Sequence, residues 1–329
     1  MAKLIACTEN HVFATIAPNK LAVLDKDNKI SSETELEADL NAIAIDKNRI
    51  AVGLRNKEII IYNYQEDGTI TQQFKATAER IAEELAFSDY KGKDCLLLND
   101  GGDIFAYDIA DMKNPQLLLG HIATTTSFAI SPDHKVLATS DRDGRIRFSK
   151  YPNAFDIITF GLQHEEFISD IIYLPSGELI SADGDGQLAK WDSNGNFVKL
   201  ERTFSEETII RQMCLFNDKI AAINENSSNV YVIDTETLKV VDTIKTNLQP
   251  LCIAPFQGGL ICGCNGELIK ISGNEISTIP GFESKIEPMP TIAKLRVTTK
   301  QIVHKNEKNT EIYNIWRHPE LFPSRDHEQ

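Results

Sequence analysis

Ser127-Phe-Ala-Ile-Ser131-Pro-Asp133 runs through Val136-Leu-Ala-Thr-Ser140 and Asp141-Arg-Asp-Gly144 to Arg145-Ile-Arg-Phe148. That order reads as strand, turn, strand, turn and third strand. Pro and Asp punctuate the first turn, and Asp-Gly suits the second because glycine takes positive φ without steric cost. The next stretch repeats the plan as Ile171-Ile-Tyr-Leu-Pro175-Ser-Gly177, Glu178-Leu-Ile-Ser-Ala182, Asp183-Gly-Asp-Gly186 and Gln187-Leu-Ala-Lys-Trp191-Asp192. Outward from this pair, β-type runs recur with anchors at Leu24, Tyr62, Tyr107, Phe148, Trp191, Val232, Ile271 and Tyr313. The steps between anchors are 38, 45, 41, 43, 41, 39 and 42 residues. This is the spacing of a WD40-type β-propeller, which places four strands in each blade.

The sequence therefore predicts one all-β domain over 1–316, a seven-bladed propeller with eight blades as the alternative. An open ring would leave sheet edges unpaired. Closure is expected from one blade pooled from both termini, with strands drawn from 3–36 and 293–316. Arg317 to Gln329, with Pro319 and Pro323, has no period and is expected to be a disordered tail. The run from Ala76 to Ala86 has helical propensity, with Ile81 and Leu85 four apart, yet repeat register asks for an inner strand at about 81–88. Register is the stronger constraint.

Charge and composition exclude several classes. The 329 residues hold 34 Lys+Arg against 48 Asp+Glu, a net charge of −14. Phosphate neutralisation needs surplus cations, so this is not a solitary nucleic-acid binder. With 42% hydrophobic and 25% charged residues the chain is globular. No stretch approaches the roughly 18 to 20 apolar residues of a membrane-spanning helix. Met1 to Cys7 turns polar by Thr8-Glu9-Asn10, too early for a secretory apolar region, which predicts an intracellular, soluble protein. Cys7, Cys95, Cys214, Cys252, Cys262 and Cys264 sit mostly in apolar runs and read as small buried hydrophobes.

Catalytic patterns are missing. His164-Glu165-Glu166-Phe167-Ile168 opens like a zinc-protease helix but has Ile168 where a second histidine is required. Neither a phosphate loop nor a nucleophile elbow occurs. Asp141/Asp143 and Asp183/Asp185 stand in turns whose geometry already explains them. His121 and Asp133 read as architecture, members of the structural hydrogen-bond network of their repeat. A binding scaffold fits, with no catalytic, metal or cofactor site expected. One region departs from the acidic body: from His134 to Lys150 there are five cations, Lys135, Arg142, Arg145, Arg147 and Lys150, against Asp141 and Asp143. Arg147 has a packing reading, while Lys135, Arg142, Arg145 and Lys150 form a candidate RNA-proximal basic patch.

Two segments carry a family resemblance. Ala138-Thr-Ser140-Asp141-Arg142-Asp143-Gly144-Arg145-Ile146-Arg147-Phe148-Ser149 is similar to an Asp-Arg-Asp-x-x-Ile-Arg-x-Ser signature. Phe160 to Ser169 is similar to a Gly-His-x-Glu-Phe-Val-Ser segment. Together they resemble the WD-repeat non-catalytic subunit of the heterodimeric tRNA (guanine-N7-)-methyltransferase, with the close match over about 119–192. The resemblance implies a separate Rossmann-type partner that binds S-adenosylmethionine and methylates a guanosine in the tRNA variable loop. The propeller would stabilise that partner, touch tRNA through the complex, carry no cofactor, have no membrane role and reside in the nucleus.

Carried onto this chain, the partner interface comprises Arg142, Asp143, Arg145, His164, Glu166, Phe167 and Asp170. Phe167 and His164 have alternative readings as inter-blade core and structural histidine. Asp170 stands where the family carries a basic residue, which predicts a cation opposite it on the partner. Gln163 replaces the glycine before histidine, which leaves that turn less permissive. A general WD40 adaptor is the competing reading, and an enzyme in its own right is a third.

Overall fold

A computed structural model of the chain describes residues 4–279, apart from 265 and 274. Among them are 28 strands in seven separate four-stranded antiparallel sheets. Each sheet is a contiguous meander: blades 1 to 7 span 5–35, 40–77, 84–120, 125–161, 168–202, 210–245 and 250–279. The first strands of neighbouring blades lie against one another and line the middle of the ring. Register prevails over propensity at the ambiguous segment, where the inner strand is Glu84–Tyr90.

Closure corrects the expectation of a pooled blade. All four strands of blade 1 come from the N-terminal segment, and blade 7 is complete by Ile279. Blades 7, 1 and 2 share one apolar cluster in which Cys252, Phe256 and Ile261 join Ile5, Phe13 and Leu24. The ring closes by side-chain packing, since residues 5–279 already supply seven full sheets. Strands expected over 293–316, the anchor Tyr313 and the tail from Arg317 lie outside the described residues. The other junctions have equivalent clusters, such as Phe148 and Ile146 with Trp191 and Ile171 between blades 4 and 5. Fully burying each such side chain contributes about 1.5–3 kcal/mol.

Among the described residues no strand of one blade pairs with a strand of the next, and polar side chains link the inner strands. Asn41 Nδ2 donates to Ala82 O at 2.8 Å, and Phe128 N donates to Glu84 Oε2 at 2.9 Å. Met213 N donates to Asp170 Oδ2 at 2.7 Å, and Ile253 N to Gln212 Oε1 at 3.0 Å. A register shift recurs near the start of the inner strand in blades 2, 4, 5, 6 and 7. The extra residue there re-aims side chains that a regular pleat would send elsewhere.

Burial accounts for the cysteines: five are buried and Cys7 is partly so. Burial pushes the Cys95 thiol up to about 11 and those of Cys252 and Cys264 to about 12. An unfolded thiol ionises nearer 9, so this stabilisation is complete below about pH 9 and declines as pH rises above it. Ellman's reagent at pH 8 should therefore titrate at most Cys7 in the native protein and all six thiols after denaturation. Asp170→Ala should lower unfolding free energy by about 2–4 kcal/mol in a denaturant titration, because it orphans the buried Met213 and Ile171 amides.

Candidate functional site

In a meander, the turn after the second strand and the link to the next blade emerge at the same end. That rule unites the two signature segments. The turn 142–145 follows the second strand Val136–Asp141 of blade 4, and the link 162–167 joins blade 4 to blade 5. They are in contact: a Cβ added at Gly144 would lie 2.8 Å from Glu166 O and 2.9 Å from His164 O.

Local chemistry shapes the turn. Asp141 Oδ1 accepts the amides of Asp143 at 2.9 Å and Arg145 at 3.1 Å, while Gly144 supplies the positive φ of 77°. Arg142 N donates to Thr124 O at 2.9 Å. The guanidinium groups of Arg142 and Arg145 flank the single carboxylate of Asp143, at 3.8 and 3.6 Å. Arg145 is exposed and Arg142 half-buried. Such surface pairs contribute little stability, which leaves both cations available to a partner. Glu166, partly exposed, completes the accessible set with Asp143.

Three of the carried-over residues are interior. His164 is 4% exposed, Phe167 1% and Asp170 3%. The His164 ring is in line with Asp183 Oδ2 at 2.9 Å and Ser181 Oγ at 2.7 Å, and Trp191 Nε1 donates to the same Oγ at 2.9 Å. One proton order satisfies every group: Trp191 to Ser181, Ser181 to His164 Nε2, and His164 Nδ1–H to Asp183. His164 is thus the structural histidine of its repeat. Phe167 packs beneath Gly184, where an added Cβ would meet its ring at 2.4 Å. Both take their alternative readings in this structure, with side chains buried beneath the face.

Asp170 is a correction of a different kind. Its carboxylate accepts Met213 N at 2.7 Å, Ile171 N at 3.0 Å and Ser127 Oγ at 3.4 Å. The inverted sign is satisfied inside the ring, so no basic partner residue is required opposite it. Gln163 also proves harmless: it is exposed and its backbone is outside the positive-φ region that would demand glycine.

The basic patch divides. Lys135 precedes the second strand of blade 4 and Lys150 ends the third, with Val136 directly opposite Lys150. Both lie at the far end from Arg142 and Arg145, about 17–20 Å away along a six-residue strand. Lys135 pairs with Asp133 at 3.2 Å and Lys150 approaches Asp156 at 3.8 Å. The four cations thus fall at the two opposite ends of one hairpin. Arg147 is a packing residue, donating from Nη2 to Ala154 O at 2.7 Å, with burial pulling its pKa down. His121 is paired with Asp141 and Thr139, at 3.3 and 2.7 Å, rather than with Asp133. Asp133 instead accepts Ser131 Oγ at 2.7 Å within its turn, which holds its carboxyl below the ordinary range.

Beside the turn stand apolar side chains that motif reading missed. Ile122 is fully exposed in the link before blade 4, and Leu162 is 62% exposed in the link after it. Their signal was exposure, which a repeat pattern does not report.

Comparison with known proteins falls on this same region. Residues 108–258 match the family model for the tRNA methyltransferase TRM82 WD40 domain. A tRNA (guanine-N(7)-)-methyltransferase non-catalytic subunit wuho from Drosophila mojavensis is 31% identical over 170 residues, 50% of this chain and 44% of that protein. Its namesake from Culex quinquefasciatus is 30% identical over 149 residues, 45% of this chain and 37% of that protein. The matched stretch is thus less than half the length of these relatives. Solved propellers share the fold alone: Myceliophteria thermophila Cps50 (Swd1) has a TM-score of 0.67 at 9% identity, covering 80% of this chain and 93% of its own. The WD40 propeller of Doa1 gives 0.64 at 15%, covering 84% and 93%.

Gly144→Ala should cost about 1–3 kcal/mol in chemical denaturation, since it forces an L side chain to positive φ against the Glu166 carbonyl. Arg142→Ala and Arg145→Ala should each stay within about 0.5 kcal/mol of wild type. Over residues 108–258, this chain is similar to the WD40 domain of the non-catalytic subunits of tRNA (guanine-N(7)-)-methyltransferase.

Proposed function

We propose that this chain is a non-catalytic subunit of a tRNA (guanine-N7-)-methyltransferase. The observation that carries the reading is the contact between the 142–145 turn and the 162–167 link, both inside the matched region. Two separate sequence signatures meet on one face, as they must if one partner reads both. Arg142, Asp143, Arg145 and Glu166 are the docking side chains, and His164, Phe167 and Asp170 hold the face in position from below.

The division of labour follows from charge. Neutralising tRNA phosphates takes surplus Lys and Arg, which a chain of net charge −14 does not supply. RNA affinity then belongs to a Rossmann-type catalytic subunit, which also binds S-adenosylmethionine and carries out methyl transfer in the variable loop. The propeller stabilises the active form of that subunit as a heterodimer, holds no cofactor of its own and acts in the nucleus. Among the described residues no helix is long and apolar enough to cross a membrane.

Deleting the gene for this chain should abolish or sharply reduce N7-methylguanosine in tRNA, measured by mass spectrometry of digested tRNA. Re-expression of the full chain should restore it. Unchanged methylation after deletion would remove the reading.

A further inference from the structure

Outer strands are the exposed edges of a propeller, and soluble proteins guard such edges with charge. Five of the seven outer strands do so: Ile30–Glu35, Ile70–Thr77, Phe197–Arg202, Val240–Lys245 and Glu275–Ile279 each carry Lys, Arg, Asp or Glu. Gln116–Gly120 of blade 3 and Ile157–Gly161 of blade 4 carry none. The second of these is also apolar on its surface, with Ile157 46%, Ile158 39% and Phe160 47% exposed. Leu162 follows it at 62%, and Phe155, 70% exposed, lies two residues before it on the other side of the exposed Asp156. Depletion of charge with exposed aromatic and aliphatic side chains marks the centre of a protein interface.

We infer that the catalytic subunit covers this uncharged outer edge of blade 4 as well as the adjoining 142–145 turn. The inference rests on the proposed function and extends its docking face around the rim. Three observations select the occupant. Leu162 follows the outer strand directly and carries the stripe into the 162–167 link already described. The stripe offers no cation to a phosphate, so RNA is not its ligand. A second copy of the chain would bring another net charge of −14, whereas a subunit that binds tRNA is basic and complementary. Apolar contact on the rim then supplies burial, and the Arg142–Asp143–Arg145 turn fixes orientation.

The test is co-expression of the full chain with the tRNA (guanine-N7-)-methyltransferase catalytic subunit of the same cell, followed by affinity measurement on the purified proteins. Ile158→Lys and Phe160→Lys should weaken the complex about tenfold or more, as expected when a central apolar anchor becomes a charge. Val241→Lys, at a 53% exposed position on the outer strand of blade 6, should bind as wild type. All three variants should keep the wild-type melting temperature, which separates docking from folding. Wild-type affinity in both blade 4 variants would overturn the inference. So would a wild-type homodimer that these variants convert to monomer, which would assign the edge to a second copy. If deletion of the chain removes N7-methylguanosine while the blade 4 variants assemble normally, only this inference fails. If no complex forms and methylation persists without the chain, both readings fail.

Discussion

Seven sheets that share no strand pairing must be held in a ring chiefly by side chains, with backbone bonds between blades confined to points such as Leu40 N to Pro18 O and Thr125 N to Gly101 O. The structure meets that constraint at the inner strands, where a polar residue of one blade takes up a backbone group of the next. Glu84 receives Phe128 N, Asp170 receives Met213 N, and Gln212 both receives Ile253 N and donates to Ile253 O. Arg211 Nε adds a bond to Leu251 O at 2.8 Å. Buried donors left without acceptors are costly, so each link fixes the height of one blade against its neighbour. Apolar clusters between blades supply most of the energy, but they are non-directional. The polar links supply the register on which surface geometry depends.

The ends of the second strands are unequal in how completely they satisfy their polar groups. Blades 4 and 5 end their second strands in Asp141 and Asp183, each engaged by a histidine and by turn amides. The corresponding ends in blades 3 and 6 are Asn99 and Asn224, where Asn99 Nδ2 and Asn224 Oδ1 are buried without a partner. Well-satisfied networks therefore lie directly beneath the 142–145 turn and the 162–167 link. A rigid base lets exposed Arg145 and half-buried Arg142 present a fixed geometry at low entropic cost on binding.

Much of this was legible in the chain. The anchor spacing gave the blades, Asp-Gly turns gave their hairpins, and register correctly placed Glu84–Tyr90 as a strand against its helical propensity. What failed did so for three-dimensional reasons. Lys135 and Lys150 are near Arg142 and Arg145 in sequence, yet a strand places them at the opposite face. Asp170 looked like an interface acid because its chief partner, the amide of Met213, is 43 residues away. Terminal closure was inferred from the need to hide an edge, whereas packing of Cys252 and Phe256 with Ile5 and Phe13 meets it. The charge-free run Ile157 to Gln163 was visible in the sequence, but its meaning required knowing that it forms an outer edge.

Hydrogen–deuterium exchange of the full chain, free and in complex with the catalytic subunit, tests the central claim most directly. It reads backbone protection across all blades at once. The account predicts new protection concentrated in 142–145 and 157–163, with the outer strands of blades 1, 6 and 7 unchanged. Protection confined to those other blades, with the blade 4 turn and edge exchanging as in the free chain, would contradict it.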